Sequence, residues 1–139
     1  MGELTAELRE FLDVHRVGVL ATVAADGRPR QSLVYYARNG EQLLLSTLAQ
    51  RLKAKDVERS GWASLCVIGH EAPYPSAVFS GTAGILTENI GAATAAVMQK
   101  ITASAEPPEP QTDEALAAVG RVVMRIAIEH VSAVNYIYS

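Results

Sequence analysis

The chain has 139 residues and a mass of 14.8 kDa, room for one core and not for two. Hydrophobic residues make up 49% and charged residues 19%, which excludes a disordered or collagen-like chain. Lys+Arg number 12 against Asp+Glu 15, so the positive excess of a protein that grips nucleic acid by its phosphates is missing.

The single cysteine, Cys66, leaves no internal disulfide and no Cys-based zinc site. Its apolar setting, Ser64-Leu-Cys-Val-Ile68, reads as a buried small hydrophobe. The start, Met1-Gly-Glu-Leu-Thr-Ala-Glu-Leu, is acidic and amphipathic, unlike a signal peptide. No apolar run approaches the ~20 residues that span a bilayer. The expectation is a cytoplasmic protein with no membrane and no nucleic acid among its partners.

Along the chain, residues 3–14 (within an N-terminal segment 1–15) predict a helix, with Leu4, Leu8, Phe11 and Leu12 on one face. Val17–Val23, 31–36 and 42–47 predict three strands joined at Asp26-Gly27 and Asn39-Gly40, two hairpin signals. Together 16–47 read as a three-stranded antiparallel meander. Residues 49–59 switch to a basic helix ended by Ser60-Gly61. Trp62–Ile68 is a fourth strand, 69–75 a loop with Pro73 and Pro75, and Ser76–Leu86 a long fifth strand. Its Gly81 and Gly84 suggest a bulge or sharp coil. Residues 88–103 predict a helix with Ile90, Thr94, Val97 and Ile101 on one face. The Pro-rich stretch 104–113 is an exposed loop, 113–119 a helical turn, and the alternation about Val122, Met124, Ile126 and Ile128 a last strand. One domain over 1–139 follows, mainly β with helices (α+β), a small closed antiparallel barrel of six to seven strands.

The dinucleotide glycine fingerprint, the phosphate loop, the zinc-protease His-Glu-x-x-His and the nucleophile elbow are all absent. His15, His70 and His130 lie far apart in sequence and read as surface or capping residues, so no metal ligand set is expected and no catalytic side chain is identified. The informative segment is Leu45–Arg59. Four of the 12 basic residues fall between 51 and 59. A helix after a strand would bring Ser46, Thr47 and first-turn amides to one point, and Arg51, Lys53 and Lys55 add cations suited to a phosphate. The bland alternative is a solvated basic helix face with Asp56 and Glu58 in ordinary i,i+3 or i,i+4 pairs.

Gly18-Val-Leu-Ala-Thr22, Asp26-Gly-Arg-Pro29, Ser32-x-Val-x-Tyr36, Arg51-x-Lys53, Ala63-Ser64 and Ser80-Gly-Thr-Ala83 occur in that order. This set resembles the split β-barrel family of flavin- and deazaflavin-binding oxidoreductases related to pyridoxamine 5′-phosphate oxidase, over roughly 14–135. The resemblance implies a Greek-key split barrel that dimerises, with two cofactors at the interface of a homodimer. It implies a cofactor phosphate held by Ser46, Thr47, Arg51 and Lys53, and a ring system along Gln31, Ser32, Leu33 and Val34. Tyr35, Tyr36, Trp62 and Tyr74 are candidates for the groove or interface, with core packing expected for at least half of them. Tyr35, Tyr36 or Ser32 are the candidates to polarise an acceptor carbonyl.

The sequence departs from true pyridoxamine phosphate oxidases. Leu52 interrupts the adjacent Arg-Lys pair, and the end Val134-Asn-Tyr-Ile-Tyr-Ser139 carries no cation to hold a substrate phosphate. The Arg-x-Lys spacing with Lys55 resembles the branch that uses the 8-hydroxy-5-deazaflavin coenzyme F-420, whose phosphodiester and oligoglutamate tail suit a basic stripe extending toward Arg59. The implied activity is hydride transfer between reduced F-420 and a small apolar acceptor. The alternatives are an FMN-binding flavin reductase or oxidase of the same fold, and a non-catalytic carrier of a flavin- or haem-type ligand.

Overall fold

The computed structural model describes residues 4–134. The chain runs α1 (Ala6–Val14), β1 (Val17–Val23), β2 (Pro29–Tyr35), β3 (Ala37–Asn39), β4 (Gln42–Leu48), α2 (Leu52–Ser60), β5 (Trp62–Ile68), β6 (Ser76–Leu86), α3 (Gly91–Thr102), α4 (Asp113–Ala118), β7 (Arg121–Ala127) and β8 (His130–Val134). Thr5 starts α1 by accepting from the Leu8 N–H at 3.2 Å. Leu8, Phe11 and Leu12 then face the core.

Both hairpin signals form turns, with Gly27 at φ 88° and Gly40 at φ 60°. The expected three-stranded meander does not form. β2 pairs with β1 from Val17↔Tyr35 to Val23↔Pro29, and β3 pairs with β4, but β2 and β4 are not neighbours in the ladder. The strand breaks at Tyr36, whose side chain is fully buried and whose hydroxyl donates to the Leu12 carbonyl at 2.6 Å. The chain therefore passes from one sheet to the other at that residue.

The strand order is β2-β1-β5-β6-β7-β4-β3, with β8 added beside β6, and all pairs are antiparallel. The two ends of that path, β2 and β3, are halves of one stretch, so the sheet closes on itself as a split barrel. The neighbours β1–β5 and β4–β7 give Greek-key connections. The path has seven strands, within the expected six to seven, the break at Tyr36 separating β2 from β3, and β8 is an addition beside β6. Leu20, Tyr36, Leu43, Leu45, Leu65, Phe79, Met124 and Ile126 fill the interior with Leu8 and Leu12 of α1. A second cluster, Leu44, Ile90, Leu116 and Val123, lies under α3 and α4.

β6 is unbroken, without the expected bulge. Gly81 instead marks a change of partner: residues 76–80 pair with β8 and 83–86 with β7. A Cβ on Gly81 would lie 1.8 Å from the Ala127 carbonyl oxygen, whereas one on Gly84 meets nothing. Gly81→Ala is thus expected to lose about 1–3 kcal/mol or more by overpacking, and Gly84→Ala little. Urea denaturation of both variants checks this, and equal losses would refute the assignment.

α3 begins at Gly91 rather than at 88. Asn89 is left-handed at φ 55°, and the Asp113 carboxylate accepts from the Asn89 and Ile90 amides at 2.7 and 3.1 Å. Ile90, Thr94 and Val97 are buried as expected, but Ile101 is exposed. At the far end α1 and α3 complete each other. Lys100 Nζ donates to the Leu12 and His15 carbonyls at 3.0 and 2.5 Å and sits 4.3 Å above the Tyr36 ring. Arg16 donates back to the Lys100 and Ile101 carbonyls at 2.7 and 2.9 Å. Each helix thereby has its orphan carbonyls satisfied by a cation from beside the other. Burial, with Arg16 and Arg38 nearby, brings the Lys100 amine down to about 8 despite Asp13. No described helix is long and apolar enough to cross a membrane.

Candidate functional site: a basic helix start beside an open sheet face

The turn before α2 sets the site. The Arg51 N–H donates to the Leu48 carbonyl at 3.0 Å, so 49–51 form a turn and the helix starts at Leu52, three residues later than expected. Arg51 becomes the N-cap, and its side chain makes no cap bond. The Ala54 and Lys55 amides both donate to the Arg51 carbonyl at 3.1 and 3.2 Å, so the amides at the very end of the helix are those of Leu52 and Lys53, where the helix dipole leaves positive charge. Arg51 and Lys53 lie together at this end, and Lys55 follows two residues on, turned to another side of the helix. None of the three forms an ion pair or side-chain hydrogen bond among the described residues. Burial and the neighbouring Arg51 charge hold the Lys53 amine below its usual range.

The other two cations near α2 are already neutralised. Asp56, 2% exposed, accepts from Thr22 Oγ1 at 2.9 Å, Arg30 Nε at 2.7 Å and Arg59 Nη2 at 3.3 Å. Arg59 also donates to the Val23 carbonyl. Burial alone would raise the Asp56 carboxyl, but the hydrogen bonds from Arg30, Thr22 and Arg59 and the charge of Arg30 outweigh it, and the net direction is down. Arg59 therefore does not extend the basic stripe. The i,i+3 pair between Asp56 and Arg59 does form, within a larger network that reaches β1 and β2.

Ser46 and Thr47 do not converge. Neighbouring strand residues face opposite ways. Thr47 is buried on the face of Leu43 and Leu45, while Ser46 opens into a cavity with Thr94, Met98, Leu116 and Arg121. The pleat also divides the β2 set. Gln31 and Leu33 point outward, Leu33 being 70% exposed, while Ser32 is half-buried and Val34 buried. β2 pairs with β1 alone, so it is a sheet edge. From that edge an apolar face runs across the ladder Leu33, Val19, Cys66 and Val78, flanked by exposed Tyr35, Trp62 and Ile68. Cys66 is half-buried on this face rather than enclosed, and burial raises its thiol pKa. Of the four candidate aromatics Tyr35, Tyr36, Trp62 and Tyr74 only Tyr36 is core, fewer than the half expected. Its hydroxyl is fully buried and committed to the Leu12 carbonyl, which takes it out of reach of an acceptor, and burial, then Asp13, raises its pKa. Tyr35, Trp62 and Tyr74 are exposed.

Two histidines meet across 55 residues of sequence, which spacing did not foretell. His15 caps α1, its Nδ1 lying 2.8 Å from the Phe11 carbonyl oxygen, and its ring contacts that of His70 at 4.8 Å. They line a cavity of about 390 Å³ with Phe11, Glu71, Pro73 and Pro75. Among the described residues no group of three or more His, Cys, Asp or Glu is placed to hold a metal. The cation-free end 135–139 lies outside the described residues.

No curated protein matches the chain in sequence. Solved structures share its fold. A FAD-binding protein of Mesorhizobium loti is 29% identical, with a TM-score of 0.68 over 95% of each chain. The conserved hypothetical protein Rv2991 of Mycobacterium tuberculosis is 25% identical, with a TM-score of 0.76 over 96% of this chain and 85% of that one. An F-420 reductase is 23% identical, with a TM-score of 0.71 over 89% of this chain and 94% of its own. The family model described as pyridoxamine 5′-phosphate oxidase matches residues 4–135. With its closed split barrel, its edge strand and a family match over nearly its whole length, the chain belongs to the pyridoxamine 5′-phosphate oxidase family.

Proposed function

We propose that the chain is a cytoplasmic, homodimeric oxidoreductase that transfers a hydride between reduced coenzyme F-420 and a small apolar acceptor. The observation that carries this reading is the trio Arg51, Lys53 and Lys55 at the head of α2, left without a carboxylate among the described residues. Three uncompensated cations at and just after a helix N-terminus exceed what one phosphate needs and match a phosphodiester with an anionic tail. The likeness to an F-420 reductase supports the same choice.

The residues fit such a group. Arg51, Lys53 and Lys55 would hold the phosphodiester and tail. The free edge of β2 offers backbone N–H and C=O groups to the polar rim of a ring, and Leu33 with Gln31 offers its outer face. When bound, the coenzyme supplies the hydride chemistry, and the protein binds, orients and excludes water. The exposed Leu33, Tyr35, Trp62 and Ile68 form the surface that a second copy would cover, completing a groove one small barrel cannot enclose. Of Tyr35 and Tyr36, Tyr35 is the exposed phenol, on the side of that groove, and would donate to an acceptor carbonyl.

Titration of purified protein with F-420 and with FMN, followed by fluorescence, tests the reading. Tight F-420 binding with weak FMN binding is expected. Preference for FMN would move the protein to a flavin reductase or oxidase, a reading the FAD-binding relative supports. Binding of neither would overturn both.

A further inference from the structure

α3 leaves a groove along its outer side. Its first turn is pressed against the Pro-rich segment, where a Cβ on Gly91 would lie 2.4 Å from the Gln111 carbonyl oxygen. Further along, two cavities of about 280 Å³ each share Thr94, Met98 and Gln111. One continues to Ser46, Ile101, Val119 and Arg121, and the other to Pro108 and Glu109. Met98, Ile101 and Val119 are large apolar side chains left 38–66% exposed in this groove, while the buried face of α3 ends at Val97.

The two ends of the groove differ in charge. Ser46 lies opposite Val123 and Leu48 opposite Arg121, so Ser46 and Arg121 are diagonal neighbours on the outer face of β4 and β7. Arg121 makes no ion pair or side-chain hydrogen bond among the described residues. Glu109 stands at the other end. A guanidinium and a hydroxyl at one end of an apolar channel match a carboxylate on an alkyl chain, and Glu109 disfavours the reversed orientation.

We propose that this groove binds a medium-length alkyl carboxylate, with its carboxylate on Arg121 and Ser46 and its chain against Met98, Ile101 and Val119. The site lies on the face of β4 opposite Thr47 and is independent of the cofactor reading, because it uses none of Arg51, Lys53 and Lys55.

Octanoate is the probe, and methionine methyl NMR on the full chain is the readout. Met98 lines the groove, while Met124 is fully buried in the barrel interior and serves as the internal reference. Octanoate is expected to shift the Met98 methyl saturably and leave Met124 in place. Arg121→Gln is expected to weaken binding roughly tenfold or more, the loss of one charge-assisted hydrogen bond. Val119→Asp, a substitution at an exposed position, is expected to abolish binding while Met124 keeps its native shift. Octan-1-ol is expected to bind roughly tenfold or more weaker than octanoate, since it lacks the charge. Equal binding of the alcohol, unchanged affinity in Arg121→Gln, or no saturable Met98 shift would each overturn the proposal. So would a Met98 shift that grows with protein concentration and not with octanoate, since a second copy would then fill the groove.

Discussion

Arg51→Ala combined with Lys53→Ala is expected to abolish measurable binding of F-420 while the protein stays folded and keeps the oligomeric state of the wild type. Each cation contributes a charge-assisted hydrogen bond to a phosphate-type oxygen, about 1.5–3 kcal/mol. Losing two weakens affinity by roughly a hundredfold or more. Folding has little to lose, because neither side chain holds an acidic partner among the described residues, and burial first, then the Arg51 charge, disfavours the charged Lys53 amine. The melting temperature is therefore expected to hold or rise slightly. Fluorescence titration, thermal melting and size-exclusion chromatography of the double variant check this. Unchanged cofactor affinity would remove the head of α2 from the binding site.

Asp56→Ala is expected to produce the largest loss of stability among substitutions around α2. The change strips Thr22, Arg30 and Arg59 of their common acceptor and leaves two guanidiniums facing each other. Removing one partner of a buried pair costs about 3–5 kcal/mol, and the partial exposure of both arginines reduces that to about 2–4. Glu58→Ala, on the exposed side of the same helix, is expected to stay within about 0.5 kcal/mol. The sign with pH follows from the lowered carboxyl. A group whose folded pKa lies below its unfolded value contributes stability above the unfolded pKa, about 3.9, and loses it as pH falls through the folded value. The gap between wild type and Asp56→Ala is thus full at pH 7 and shrinks below about pH 4. Chemical denaturation at pH 7 and at pH 3 measures it, and an equal gap at both would show that the carboxylate charge is not what holds α2. Because α2 carries Arg51 and Lys53, the variant is also expected to bind cofactor more weakly without touching it.

Much of this architecture was legible in local pattern. Leu8, Phe11 and Leu12 mark α1, Asp26-Gly27 and Asn39-Gly40 mark the hairpins, and Gly61 marks the end of α2. What local pattern missed depends on distant partners. Tyr36 continues the β-rich run 31–36, and only the Leu12 carbonyl, 24 residues back, explains the strand's break there. Asp56 reads as a helix-surface residue until Arg30 and Thr22 arrive from other strands. His15 and His70 meet only in the folded barrel. The separation of Ser46 from Thr47 was readable, since the two-residue period of a strand forbids both from facing one ligand.

The joint between α1 and α3 bears on how the chain is built over time. The carbonyls of Leu12 and His15 wait for Lys100, 88 and 85 residues further on. At translation speeds of about 5–20 residues per second, that interval is several seconds. A nine-residue helix is too short to persist alone in water, and over those seconds α1 has its local caps and Tyr36 but neither Lys100 nor a finished barrel to lie against. Loop closure over such a distance comes after local hairpins have formed. The helix that precedes every strand in the sequence is therefore not fully tied down until α3 has been made.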